Sequence, residues 1–253
     1  ALNVHNIAGT IDEVRVYSRG LSANEVAALY NSGATKISTP NNRGLVGYWS
    51  FEDCKLSTAT DFSGRGNTGT LTNFALTGTT SNWVTGANAK RGSCALNFDG
   101  SNDYVQLGAM PFTDQSPKSL CAWMKLSGGS GSRIIFSDDA NSSSGLGSML
   151  YVDSANHMRG GGQSASWVVN STTTPVTGVW YHACLVYSGA SGTNRMFVNG
   201  TLEATTSVGT EAARSATNAR IGDWPASAGS YPFPGSIDEV RVSNVNRGHP
   251  WLA

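Results

Sequence analysis

Charged side chains are scarce in this sequence: they make up 13% of 253 residues, and 17 basic residues balance 17 acidic ones. With no net charge and no basic stripe, nothing steers the chain toward nucleic acid or an anionic membrane. No apolar run approaches the roughly 18 residues of a membrane-crossing helix, so membrane insertion is not expected. The first residues lack a signal-peptide pattern, as expected of an excised piece of a mature chain. None of the four cysteines lies in a CxxC pair, which argues against a zinc knuckle or a thioredoxin-like centre. After Gly33 no helical period of useful length is found. What the chain has in quantity is glycine, serine, threonine and asparagine between short apolar stretches, the composition of an all-β protein with many turns. Lysine-poor β domains of this kind are commonly extracellular, so the expected location is secreted or cell-surface.

The motif Gly9-Thr-Ile-Asp-Glu-Val-Arg-Val16 recurs as Gly235-Ser-Ile-Asp-Glu-Val-Arg-Val242. Strict alternation would place Asp12 with Val14 and Val16, and Asp238 with Val240 and Val242, on one strand face. A carboxylate buried there without partners is costly, so a cation or several donors are expected to meet it. The two copies sit too near the termini to close two complete domains. Residues 1–40 therefore read as the closing strand and trailing helix of an upstream domain plus a linker, and residues 41–253 as one complete domain. An added edge strand and helix of the same domain is the other open reading. The short N-terminal helix is expected over 23–31, with Ser22 and Glu25 as a capping box and Gly33 just past its end. Val26, Leu29 and Tyr30 would form its apolar stripe. That stripe is expected to dock on the sandwich, with a strand-exchanged dimer as the alternative.

Alternation and turn signals predict about fourteen short strands between residues 45 and 242, among them 118–126, 133–137, 179–187, 194–198 and 201–206. Asn199-Gly200 is the preferred pair for a tight hairpin between the last two. Leu120, Ala122 and Met124 alternate with Cys121 and Trp123, so this strand is apolar on both faces and two stacked sheets are expected. Trp123 and Trp180 read as packing residues. Cys54 and Cys94 flank loop-rich segments, where a bridge would pin the loop around Asp61. Cys121 and Cys184, in central strands, read as small buried hydrophobes, with a bridge between them as the alternative.

Five landmarks occur in order: Leu45-Val-Gly-Tyr-Trp-Ser-Phe51, Asp61-Phe-Ser-Gly-Arg-Gly-Asn-Thr-Gly69, Ala95-Leu-Asn-Phe-Asp-Gly-Ser-Asn-Asp-Tyr-Val105, Val179-Trp-Tyr-His-Ala183 with the Asn199-Gly200 turn, and Gly235 to Val242. Together they resemble laminin-G-like domains of the concanavalin A-like lectin/glucanase superfamily. The resemblance covers residues 44–253, and residues 9–33 look like the end of a preceding copy. It implies a two-sheet antiparallel jelly-roll sandwich, frequently with a structural calcium, in tandem modules of bacterial type.

The loop Asp61 to Asn67 offers one carboxylate, one amide oxygen and several carbonyls, the hard oxygen set that calcium prefers. In the fold that the chain resembles, the first and last strands are neighbours, so Asp238 is the expected partner of Asp61 and Asn67. An ordinary Asx turn at Asp61 with Asp238 capping a backbone is the alternative. Glycan-hydrolysing relatives place carboxylates at alternating positions of one strand. No such array is found, Asp238 and Glu239 are adjacent and expected to face opposite ways, Asp138 and Asp139 look like loop or rim residues, and there is no nucleophile elbow. The expectation is a non-catalytic carbohydrate-binding or adhesion module with a glycan or cell-surface polysaccharide as partner, monomeric within a multidomain chain. A protein-interaction or spacer domain is the other class. Loop aromatics would stack on sugar rings, and Trp167, Trp224 and Tyr231 are the candidates, with Arg159, Asn170 and Asp223 as polar partners.

Overall fold

A computed structural model describes residues 44–77, 82–111, 116–138, 148–161, 168–189, 192–207, 218–225 and 229–247. The chain divides into Ala1–Asn42 and Arg43–Ala253, and all described residues belong to the second unit. The strand, the helix over 23–31 and the docking expected of residues 1–40 lie outside the described residues.

In chain order the strands begin with β1 Leu45–Trp49, β2 Thr58–Ala59, β3 Gly69–Thr72, β4 Trp83–Thr85 and β5 Cys94–Asp99. They continue with β6 Tyr104–Leu107, β7 Lys118–Leu126, β8 Arg133–Ser137, β9 Met149–Val152, β10 Met158–Gly161 and β11 Val169–Asn170. The last are β12 Trp180–Tyr187, β13 Thr193–Val198, β14 Thr201–Ser207, β15 Ala219–Ile221 and β16 Pro234–Ser243. One sheet runs β14-β13-β12-β7-β16-β5-β4, with β1 paired to β16, and the other runs β11-β10-β9-β8-β15-β6-β3-β2. Every pairing is antiparallel. The fold is the expected all-β two-sheet sandwich.

Alternation decides which face of each strand is buried. Leu120, Ala122 and Met124 of β7 and Leu96 and Phe98 of β5 meet Leu150 and Val152 of β9 and Ala219 and Ile221 of β15 in one core. Each large apolar side chain removed from water there contributes about 1.5–3 kcal/mol. The opposite face of β7 and β12 carries a smaller cluster of Cys121, Cys184, Val186 and Phe197. Asn199 and Gly200 both have positive φ, 49° and 81°, and close the β13–β14 hairpin as expected.

The closing strand departs from strict alternation. Glu239 has φ 53°, and the β16–β7 register shifts between Asp238 and Arg241. This bulge puts Ile237, Val240 and Val242 in the core and pairs Asp238 with Trp123 on the outward face. Asp238 therefore does not share the valine face, which corrects the alternation reading of the repeat. Gly235 at the start of the motif has a physical reason: a Cβ there would lie 2.1 Å from the Lys125 carbonyl oxygen.

Both cysteine pairings are made. Cys54 bridges to Cys94, and Cys121 to Cys184 directly across the β7–β12 ladder. Trp123 and Trp180 are half-buried on the outward face rather than in the core, with the ammonium groups of Lys90 and Lys125 over their rings at 4.0 and 4.9 Å.

Candidate functional site

The outward face of the second sheet carries a row of side chains fixed by strand register. Asn170 of β11 stands opposite Arg159 of β10, Arg159 opposite Tyr151 of β9, and Tyr151 opposite Ile134 of β8. Ile134 in turn donates its N–H to the Tyr231 carbonyl at 3.0 Å, which brings the segment after β15 alongside the row. Trp224 and Tyr231 lie against each other with ring centroids 5.4 Å apart and planes tilted by 54°, and pack on Ile134, Met149 and Tyr151.

Each element of this platform has a local cause. Asp223 is fully buried, and its carboxylate accepts the N–H groups of Gly229 at 2.5 Å and Tyr231 at 3.2 Å, which closes the loop and presents both rings on one side. Asp223 is thus a loop clasp rather than a rim group free to bind a sugar hydroxyl. Arg220 of β15 donates to the Trp224 carbonyl at 3.1 Å and lies 3.8 Å over the Tyr104 ring. Arg159 lies over the Tyr151 ring at 5.7 Å and reaches Asp153 at 3.6 Å. Burial pushes the Tyr151 hydroxyl above its ordinary pKa. Among the described residues, Trp224 Nε1 and Arg159 Nε have no hydrogen-bond partner, while the Asn170 side chain is exposed. Tyr231 also lines a groove of about 480 Å³ at one end of the sandwich, with Asp99, Gly129, Arg133 and Pro234.

Four of the six expected sugar-contacting residues, Trp224, Tyr231, Arg159 and Asn170, are thereby gathered on one face. Asp223 supports it from below, and Trp167 lies outside the described residues. Tyr151, Arg220 and Asp153 were not singled out from sequence. Only the pairing register, which no local pattern specifies, joins them to the row.

The expected calcium residues are arranged differently. Asp61 Oδ1 accepts the N–H groups of Tyr48 at 3.0 Å and Ser63 at 2.8 Å, and Oδ2 accepts the Asn67 N–H at 2.8 Å and the Ser63 hydroxyl at 2.9 Å. The Asn67 side-chain amide donates to the Val46 carbonyl at 2.6 Å, and the Asn67 backbone carbonyl accepts Trp49 Nε1 at 2.9 Å. Asp238 Oδ2 accepts the Lys90 and Arg91 N–H groups at 3.1 and 2.9 Å, and shares no partner with Asp61 or Asn67. A cation at Asp61 would face hydrogens on every side, so calcium does not fit this trio. Asp61 is the hub of an Asx turn, and Asp238 holds a backbone segment.

The bulge also brings the Asp238 and Glu239 carboxylates to the same side of β16, where opposite sides were expected. Glu239 accepts the Tyr48 hydroxyl at 2.8 Å and Arg241 Nη2 at 2.6 Å, so it is committed to structure. Asp138 is fully buried and accepts the Ser148 N–H, in contrast to the expected rim position.

Residues 99–252 match the family model described as the concanavalin A-like lectin/glucanases superfamily. Among solved structures, the chain is similar to domain 4 of an extracellular arabinanase from Geobacillus stearothermophilus in complex with arabinotriose. The TM-score is 0.59 at 18% identity, over 82% of this chain and 96% of that one. It is also similar to a sialidase from Trypanosoma rangeli, with TM-score 0.55 and 15% identity over 83% of this chain and 32% of that one. These likenesses are of fold. No protein of curated function matches in sequence.

Proposed function

The chain belongs to the concanavalin A-like lectin/glucanase superfamily, and we propose that residues 41–253 form a non-catalytic carbohydrate-binding module of a secreted or cell-surface protein. The observation that carries this reading is the row from the Trp224–Tyr231 pair through Tyr151 to Arg159 and Asn170. Two rings set at an angle of 54° supply apolar faces on which the C–H groups of a sugar stack, and a guanidinium and an amide beside them supply hydroxyl partners. Strands lie about 4.8 Å apart, so Asn170 to Ile134 spans about 14 Å, a length that suits an oligosaccharide better than a single sugar. A structural neighbour that holds arabinotriose on the same fold supports the class of ligand.

The carboxylates beside this row are already engaged. Asp153 accepts the His157 N–H at 2.9 Å and faces Arg159, and Asp223 holds its loop. No pair of carboxylates stands free across the row among the described residues, which supports binding without hydrolysis. The two disulfides support an oxidising, extracellular setting.

A glycan-array screen of wild type beside Tyr231→Ala tests the proposal. Oligosaccharide signals that are lost in the variant support it. An empty array, or signals that the variant keeps, favours a protein-interaction or spacer role.

A further inference from the structure

The groove beside the ring pair is lined by a cation that the fold does not neutralise. Arg133 opens β8 and is only 4% exposed, yet its guanidinium meets carbonyl oxygens: Nη1 donates to Gly129 at 3.3 Å and Nη2 to the Asp153 backbone at 2.5 Å. Nε has no partner among the described residues. The Asp153 carboxylate is turned to others, Arg159 at 3.6 Å and His157 at 3.7 Å. Burial lowers the Arg133 pKa, and the Asp153 charge opposes that shift. A guanidinium keeps its proton all the same. It has five N–H groups, of which two are engaged here. A buried charge left without a counter-charge is costly, and a ligand that supplies one gains what the fold leaves unmet.

The groove, of about 480 Å³, is built around this cation. Tyr231, Pro232 and Pro234 line it with apolar surface, and residues 129–132 line it with backbone. That loop is pinned at both ends, since Ser127 N–H donates to the Pro234 carbonyl and Ile134 N–H to the Tyr231 carbonyl, each at 3.0 Å. Its own N–H groups, from Gly129 to Ser132, have no partner among the described residues. Among the described lining residues Asp99 carries the one carboxylate, and its Oδ1 accepts the Ser101 N–H at 2.7 Å.

We propose that this groove is a subsite for the carboxylate-bearing sugar of an acidic oligosaccharide, a hexuronic acid, with Arg133 as the residue that sets the specificity. The inference rests on the carbohydrate-binding reading, since Tyr231 belongs both to the ring pair and to the groove. A volume of this size holds a small ligand. The C–H face of the sugar lies on Tyr231 and the two prolines, a hydroxyl reaches Asp99, and the carboxylate takes N–H groups from Arg133 and the loop. A neutral sugar fills the same space but leaves the guanidinium without a counter-charge, so the carboxylate carries the discrimination. Asp99 repels a carboxylate turned toward it, which fixes the orientation of the ring.

Nuclear magnetic resonance titration of the isotope-labelled protein tests this. The probes are methyl β-D-glucuronide and methyl β-D-galacturonide, beside the neutral methyl glucoside and galactoside, which carry a hydroxymethyl group in place of the carboxylate. The expected result is saturable shifts of the Gly129 to Ser132 amides, with one of the acids bound about fivefold or more tighter than its neutral counterpart and weakened by added salt. Arg133→Gln is expected to erase the preference. Asp99→Asn, at the exposed rim, is expected to tighten binding of the acid by about twofold or more. Equal affinity for acid and neutral sugars, shifts that avoid residues 129–132, or a preference that Arg133→Gln keeps overturns the proposal. If Arg133→Gln does not fold, Asp99→Asn decides, and unchanged or weaker binding of the acid overturns it. The Trp224 indole N–H reports the ring pair in the same spectra. A silent loop with an indole that responds to the strongest array hit removes the acidic subsite and leaves the ring pair standing. Loop shifts with a silent indole support the subsite and count against the ring pair.

Discussion

Asp238 stands directly opposite Trp123 in the β7–β16 ladder, fully covered by the segment that carries Lys90 and Arg91. Its Oδ1 has no partner among the described residues. Desolvation, opposed by the Arg91 and Lys90 N–H groups and reinforced by the Glu239 charge, raises its pKa from 3.8 to about 7. A carboxyl raised in the folded state keeps its proton after the unfolded chain has lost it. The contribution of this group to stability is therefore full below about pH 4 and is lost as pH rises toward 7, with no further change above.

Asp238→Asn keeps an oxygen acceptor for both N–H groups and removes the charge. It is expected to match wild type near pH 3 and to melt higher at pH 8, the gap opening between those values by at most a few kcal/mol, since one pKa unit is worth about 1.4 kcal/mol. Thermal melts across that range check this. Parallel curves for the two proteins would show that Asp238 stays ionised in the fold.

Asp61→Ala strips an acceptor from the Tyr48, Ser63 and Asn67 N–H groups at once and is expected to cost on the order of 2 kcal/mol in chemical denaturation. Because those donors occupy the places that a cation would take, a chelator is expected to leave the melting midpoint of wild type unchanged. A midpoint raised by added calcium and lost in Asp61→Ala would restore a metal to this loop.

Cys54→Ser/Cys94→Ser opens a loop with a sequence separation of 40 residues. Chain entropy alone puts the loss at about 4 kcal/mol. Equilibrium unfolding in urea with and without the bridge measures it, and a loss below about 1 kcal/mol would mean that the denatured state is already compact there.

Most of the strands were legible because short apolar runs stand between turn residues: the expected 118–126 and 133–137 coincide with β7 and β8, which are buried on both faces. Two were missed, Thr58–Ala59 and Trp83–Thr85, since two or three residues cannot display a period. The bulge at Glu239 was illegible because Gly-Ser-Ile-Asp-Glu-Val-Arg-Val alternates acceptably in either register, and only packing against β7 chooses. In the candidate site, the loop aromatics Trp224 and Tyr231 announced themselves by composition. Tyr151 and Arg220 did not, because their places depend on which strands pair. Asp223 was assigned to the ligand when its carboxylate serves its own loop, a choice that hydrogen-bond geometry alone can make.

Asp223→Ala is expected to release Gly229 and Tyr231 and to disperse the ring pair. Leaving two donors unsatisfied costs about 1–3 kcal/mol. Glycan affinity is expected to fall with it, whereas Asn170→Ala, at an exposed position, is expected to lower affinity with stability unchanged. Calorimetry on both variants separates the two roles, and undiminished affinity in Asp223→Ala would detach the loop from the site.

The central claim is that the Trp224–Tyr231 platform binds an oligosaccharide, and it is tested most directly by calorimetric titration of the strongest array hit into wild type and Trp224→Ala. The indole lies at the surface of the small outer cluster, so the variant is expected to stay folded and to bind at least tenfold more weakly, a loss of about 1.4 kcal/mol or more. A folded Trp224→Ala protein with the affinity of wild type would contradict the account.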